Sequence, residues 1–284
     1  MPELEDYRGQ KPTWCPGCGN FSLLKTFKEA MVALELEPHQ IIMVSGIGQA
    51  GKLPHYTRGN TFNGLHGRTL PVASGIRLVN HEMHVIAIAG DGDCYGEGGN
   101  HLLHAMRRNN DINLFVHDNQ VYGLTKGQAS PTTQEGTVTK TQPYGVLLEP
   151  LNPIALAVTM DASFVARGFT GDGAFLKELM VAALEHKGFA LLDILQPCVS
   201  YNRINTLSWY RERVYRVGED HDPTDREAAF RLAQEFDEKI PTGVIYKNSR
   251  PVMEDSIPVL AGKPPLVRQP FEPAGMVKEL EKFF

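Results

Sequence analysis

The chain has 284 residues and a formal net charge of −5 without a long basic run, so neither nucleic acid nor an anionic membrane surface is an expected partner. No apolar stretch approaches a membrane span, and the acidic start Met1 to Asp6 lacks the apolar core of a signal peptide, which makes a cytoplasmic protein the expectation. The length accommodates one large α/β domain, expected over residues 1–210, with residues 211–284 as a C-terminal extension wrapping that domain or a partner.

Trp14-Cys15-Pro16-Gly17-Cys18-Gly19-Asn20 is a turn whose proline and glycine let two thiolates converge on one metal or cluster, although a purely structural turn fits it as well. Asn20 is a candidate cap for a helix over Phe21 to Leu36, with Leu23, Leu24, Phe27, Ala30, Met31 and Leu34 on one face. Ile41 to Val44 reads as a buried strand running into Ser45-Gly46-Ile47-Gly48. Leu65-His66-Gly67-Arg68-Thr69 leads into a helix over Val72 to Val79, and His66 is a candidate cofactor contact or simply a hydrogen-bonded turn residue.

The central stretch runs from Val85 to Gln128. Val85 to Ala89 is an apolar run ending at Gly90, a strand buried on both faces, and a phosphate-binding turn is expected after it. A helix over Gly98 to Arg108 would point its positive end at a diphosphate, and Ile112 to Val116 is the next strand. Asp91 and Asn119 then emerge at the carboxyl ends of neighbouring parallel strands, where a carboxylate and an amide oxygen suit Mg²⁺ shared with diphosphate oxygens. Gly171-Asp172-Gly173 repeats the tripeptide without the preceding apolar run and reads as a turn before a helix. Lys126, in the loop Tyr122 to Gln128, is either a solvated side chain or an anchor for an anionic substrate group. Ala129 to Pro143 reads as an irregular loop over the site.

Ala162 to Ala166 and Phe189 to Leu195 read as strands flanking a helix over Ala174 to Lys187, and the second ends at Gln196-Pro197-Cys198. Beyond Tyr201 the periodicity weakens. A helix is expected near Asp225 to Glu238, and Ile245 to Phe284 is expected to wrap rather than to add a core.

Gly90-Asp91-Gly92 followed by Asn119 is similar to the thiamin diphosphate signature. With the cysteine turn, Ser45 to Gly48, Leu65 to Arg68, Gly99-Asn100-His101, Tyr122 to Gln128 and Leu195 to Cys198, the stretch from Lys11 to Asn202 resembles the β subunit of 2-oxoacid:ferredoxin oxidoreductases, in particular the 2-oxoglutarate branch. The resemblance implies an α/β fold with a mostly parallel sheet and helices on both faces. It implies Mg²⁺ on Asp91, Asn119 and the Val121 carbonyl, and thiamin diphosphate against Ile47, Gly48, Gln49, Ala50, His66, Gly67, Arg68, Thr69, Gly92, Asp93, Gly123 and Leu124. Leu124 and Lys126 match positions that favour a substrate with a distal carboxylate. A [4Fe-4S] cluster would take Cys15, Cys18 and Cys198, with Gln49 where the family has a fourth cysteine and Cys94, a non-cysteine ligand, or an altered or absent cluster as the alternatives.

The implied reaction is coenzyme A-dependent oxidative decarboxylation of a 2-oxoacid with electrons passed to ferredoxin, catalysed only with an α subunit that carries the activating glutamate. Two rival readings stand beside it: a thiamin diphosphate decarboxylase without electron transfer, and a non-catalytic scaffold with Cys15 and Cys18 on zinc.

Overall fold

A computed structural model describes residues 1–270 and 273–284. Eight strands form one sheet: β1 (Ile41–Ser45), β2 (Asn60–Asn63), β3 (His84–Gly90), β4 (Asn113–Asp118), β5 (Phe164–Phe169), β6 (Ala190–Leu195), β7 (Val214–Arg216) and β8 (Ile240–Lys247). Their spatial order is β2-β1-β3-β4-β6-β5-β8-β7, and every neighbouring pair is parallel except β5 with β8.

The apolar runs explain why the middle strands sit in the centre. Along β3 and β4, Val85, Ala87, Ala89, Leu114 and Val116 pack on one face, while Ile86, Ile88 and Phe115 pack on the other. The first face is covered by α2 (Thr69–Val79), α3 (Gly99–Arg108), α4 (Pro153–Thr159) and α7 (Arg226–Ala233). The second is covered by α1 (Asn20–Ala33) and α5 (Gly173–Glu185). Such double coverage is what parallel strands without polar alternation require.

Three expectations change. Asn20 is not a cap: it lies inside α1, and its Oδ1 meets the buried His117 Nδ1 at 2.7 Å. The helix α3 starts beside Gly98 as expected, but it offers the site no free N-terminus, because a π-helical turn over Gly92–Glu97 runs directly into it and Gly98 N already donates to Asp93 O at 3.0 Å. Finally, the chain beyond residue 210 adds to the core. Strand β8 pairs with β5 through a bulge at Val165/Ala166, and Ala229, Ala233, Ile245 and Tyr246 belong to the same cluster as Val165 and Phe189. Past Lys247 the segment has short helical turns and α8 (Pro273–Leu280), and Phe271 and Glu272 lie outside the described residues. At the second Gly-Asp-Gly, Asp172 caps α5 by accepting from Phe175 N at 3.4 Å, as a turn before a helix should.

Candidate active site

The carboxyl ends of β1, β3 and β4 open into one cavity lined by Ile47, Gly48, Gln49, Ala50, His66, Asp91, Gly92, Asp93, Asn119, Val121, Gly123, Leu124 and Thr125, among others. Asp91 follows β3 directly and is buried, and burial pushes its carboxyl up to about 6. Thr132 Oγ1 lies 2.8 Å from Asp91 Oδ2 and 3.0 Å from Asp118 Oδ1, so one hydroxyl proton serves two buried carboxylates. Burial, then the charges of Asp193 and Asp91, hold the Asp118 carboxyl well above its usual range. A concentration of buried negative charge of this kind favours a bound cation.

Asn119 ends β4 in a tight turn: Val121 N donates to its Oδ1 at 3.1 Å, and Gln120 takes a left-handed φ of 57°. The amide oxygen keeps a second lone pair. Asp91, Asn119 and Val121 all line the cavity, so the hard oxygen donors fit Mg²⁺, with the remaining positions left to diphosphate and water.

Asp93 lines the cavity and also carries a structural load. Its Oδ1 accepts from Ile47 N at 3.1 Å and Gly67 N at 2.9 Å, and its Oδ2 from Thr69 Oγ1 at 3.2 Å. The carboxylate therefore ties the loop after β1 to the start of α2. Gly46 makes the approach possible, since a Cβ there would lie 1.9 Å from Asp93 Oδ2. Gly67, Arg68 and Thr69 do not line the cavity; the first and third serve Asp93, and the Arg68 guanidinium meets His101 Nε2. His66 does line it, with Nδ1 3.1 Å from both Asp93 Oδ1 and Glu97 Oε2, a distance that makes an ion pair when the ring is protonated.

Gly92 lines the cavity and also clears space for a neighbouring side chain. A Cβ there would meet the Tyr122 ring at 2.3 Å, and the Tyr122 hydroxyl donates to Gly92 O at 3.2 Å and Glu97 Oε2 at 3.1 Å. Thr132 and Glu97 carried no sequence signal, because each acquires its partners only when distant loops meet. Lys126 is exposed, with φ 81°, in the loop closed by the Tyr122–Gln128 bridge; its neighbours Leu124 and Thr125 reach the cavity and it does not.

On the other side of the loop after Asn119 lies a second cavity, lined by Gly17, Cys18, Gly19, Thr170, Pro197, Cys198, Arg203 and Arg211, among others. The cysteine turn packs on the segment after β6: a Cβ at Gly17 would touch Val199 at 3.7 Å, and one at Gly123 would lie 3.8 Å from Cys198 Sγ. Burial, and then the Cys198 and Cys15 sulfurs, push the Cys18 thiol up against its hydrogen bond from Asn20. Cys94 does not join them. The π-helical turn seats it among Leu70, Leu102 and Met106 on the opposite face of the sheet, where its thiol is raised by burial and then by Asp93, Asp193 and Asp91. Among the described residues no three His, Cys, Asp or Glu side chains converge on one ion, so the three thiols do not form a mononuclear zinc site as they stand.

Residues 40–194 match the family described as thiamine pyrophosphate enzyme, C-terminal TPP binding domain, and residues 198–262 match the C-terminal region of the pyruvate ferredoxin oxidoreductase β subunit. A Sulfolobus protein named 2-oxoacid:ferredoxin oxidoreductase subunit beta is 44% identical over 248 residues, 83% of this chain and 81% of that protein. The chain belongs to the 2-oxoacid:ferredoxin oxidoreductase β-subunit family. Within that family, the 2-oxoglutarate oxidoreductase subunit KorB of Mycobacterium tuberculosis is 42% identical over 193 residues, 68% of this chain and 52% of that protein. A solved 2-oxoglutarate:ferredoxin oxidoreductase from Magnetococcus marinus, with 2-oxoglutarate, coenzyme A and succinyl-CoA bound, superposes with a TM-score of 0.91 at 35% identity, covering 98% of this chain and 96% of that one. The oxidoreductase β subunit thus has the expected fold and thiamin diphosphate-binding domain. Among its described residues no helix is long and apolar enough to cross a membrane.

Proposed function

We propose that this β subunit, with an α partner, oxidatively decarboxylates 2-oxoglutarate to succinyl-CoA and passes the electrons through an iron-sulfur centre to ferredoxin. The observation that carries the reading is the pairing of two cavities across one loop: Asp91 and Asn119 on one side, Cys18 and Cys198 on the other, with Gly123 between them. A non-redox decarboxylase would have no use for the second cavity.

Asp91, Asn119 and the Val121 carbonyl would hold Mg²⁺, and the loops at Ile47–Ala50 and Gly92 would receive the diphosphate. Bound thiamin diphosphate supplies a carbon nucleophile that attacks a 2-oxo group and stabilises the charge left when CO₂ departs. The chain's own contribution is positional. Asp93 locks the two loops that frame the cavity, and the Thr132 hydroxyl steadies Asp91 from behind. Leu124 contributes an apolar wall, and Lys126 supplies a cation for the distal carboxylate once the substrate and the α subunit order the loop. The α subunit would complete the pocket and carry the proton-transfer group, for which no residue of this chain is assigned.

The test is steady-state kinetics of the αβ complex with ferredoxin as acceptor. kcat/KM for 2-oxoglutarate should exceed that for pyruvate, and Lys126→Ala should raise KM for 2-oxoglutarate about tenfold, the loss of one charge-assisted contact, while leaving pyruvate nearly unaffected. Equal losses on both substrates would contradict the role given to Lys126.

A further inference from the structure

The three thiols that share the second cavity's neighbourhood leave a cluster one ligand short, and Cys94 on the far face of the sheet cannot supply it. Position 49 is tied to the cysteine turn. The indole Nε1 of Trp14, the residue before Cys15, donates to Gln49 O at 3.0 Å, which fixes the Gln49 backbone against the cysteine turn. Gln49 also lines the thiamin diphosphate cavity, but its Oε1 is buried and accepts no hydrogen bond among the described residues. Trp14 is itself wedged edge-on between Phe21 and Tyr56, so the turn and position 49 are held together by packing as well as by that bond.

We propose that this chain binds a [4Fe-4S] cluster through only three thiolates, Cys15, Cys18 and Cys198, and that the fourth iron carries an oxygen donor and is exchangeable. The donor is the Gln49 carboxamide or a water in its place; the chemistry is the same. The inference rests on the cluster reading above. An oxygen ligand brings one negative charge fewer than a thiolate, so the reduced cluster is less destabilised and its potential lies higher than that of a four-thiolate cluster in the same protein. The iron without a thiolate is also the one released on oxidation. One electron leaves [4Fe-4S]²⁺ for an outer-sphere oxidant such as ferricyanide, and the [4Fe-4S]³⁺ so formed sheds Fe²⁺ to leave [3Fe-4S]⁺, with charge and iron conserved.

The experiment is anaerobic purification of the αβ complex, ferricyanide titration, and iron, sulfide and EPR measurements on the same samples. The wild type should fall from about four irons per four sulfides to about three and gain the S = ½ signal of [3Fe-4S]⁺ in step with the Fe²⁺ released. Fe²⁺ and dithionite should restore the original state. Gln49→Cys should keep all its iron, remain EPR-silent under the same titration, and show a lower midpoint potential. Faster iron loss in Gln49→Ala than in the wild type would assign the carboxamide as the donor, and an unchanged rate would assign water. Wild-type protein that keeps all four irons without the signal overturns the proposal. Thiamin diphosphate without any iron overturns the cluster reading beneath it.

Discussion

The two cavities both open at the carboxyl edge of the sheet, one at the ends of β1, β3 and β4 and the other at the ends of β5 and β6, yet they are built in opposite ways. The thiamin diphosphate cavity is framed by a dense hydrogen-bond lattice in which Asp93 alone receives two backbone N–H groups and a hydroxyl, and Thr132 bridges two buried carboxylates. The cysteine cavity is framed by turns and small residues, with Gly17 beside Val199 and Gly19 beside Gln196, and its side chains are left for a ligand to organise. A cavity for a large anionic cofactor must be preorganised, because the cofactor presents fixed geometry to backbone amides. A cluster brings its own geometry, and the protein need only deliver thiolates to it.

Substitutions that cut one lattice and spare the other sharpen this contrast. Asp91→Ala should weaken thiamin diphosphate binding in the presence of Mg²⁺ by at least about 100-fold, the upper range for disturbing a metal's surroundings, as read by calorimetric titration of the αβ complex. Asp93→Ala leaves Ile47 and Gly67 amides without an acceptor and should destabilise the subunit by about 3 kcal/mol, seen as a lowered unfolding temperature with little change in bound iron.

Asp193 gives a pH test. Burial raises its carboxyl to about 6 despite Arg167 and the hydrogen bond from Tyr95, which donates to Asp193 Oδ1 at 2.6 Å. A folded-state value above the unfolded one, about 3.9, means that the folded state holds the proton more tightly. This contribution to stability is complete below about pH 4 and is lost as pH rises through about 6. Asp193→Asn should therefore flatten the stability profile across that window, by an amount on the order of 2 kcal/mol, and a profile as steep as the wild type's would contradict the assignment. The smallest effect is expected from Thr132→Val, about 1 kcal/mol of stability with a several-fold loss of thiamin diphosphate affinity.

Much of this was readable before folding. Largely apolar runs announce β1, β3, β4 and β6 because strands covered on both faces need no polar alternation. Strand β2 carries no such signal: Asn60–Asn63 is an exposed edge whose pairing with β1 is a backbone matter. Strand β8 is disguised by Pro241 and Gly243, which read as punctuation but sit in a buried strand beside a bulge. Asp91 and Asn119 were legible because strand ends fix where the following residues point. That Asp93 also ties two loops together was not, since its partners Ile47, Gly67 and Thr69 meet it only on folding. Cys94 misled for a similar reason: adjacency to Asp93 places it near the cavity in sequence, and the π-helical turn rotates it through to the other face.

The most direct test of two separately built centres is thiamin, iron and sulfide content measured on one anaerobic preparation each of wild-type, Asp91→Ala and Cys18→Ser αβ complex. The expected result is both cofactors in the wild type, iron without thiamin diphosphate in Asp91→Ala, and thiamin diphosphate without a full iron complement in Cys18→Ser. Thiamin diphosphate retained by Asp91→Ala, or a wild type that carries no iron, would contradict it.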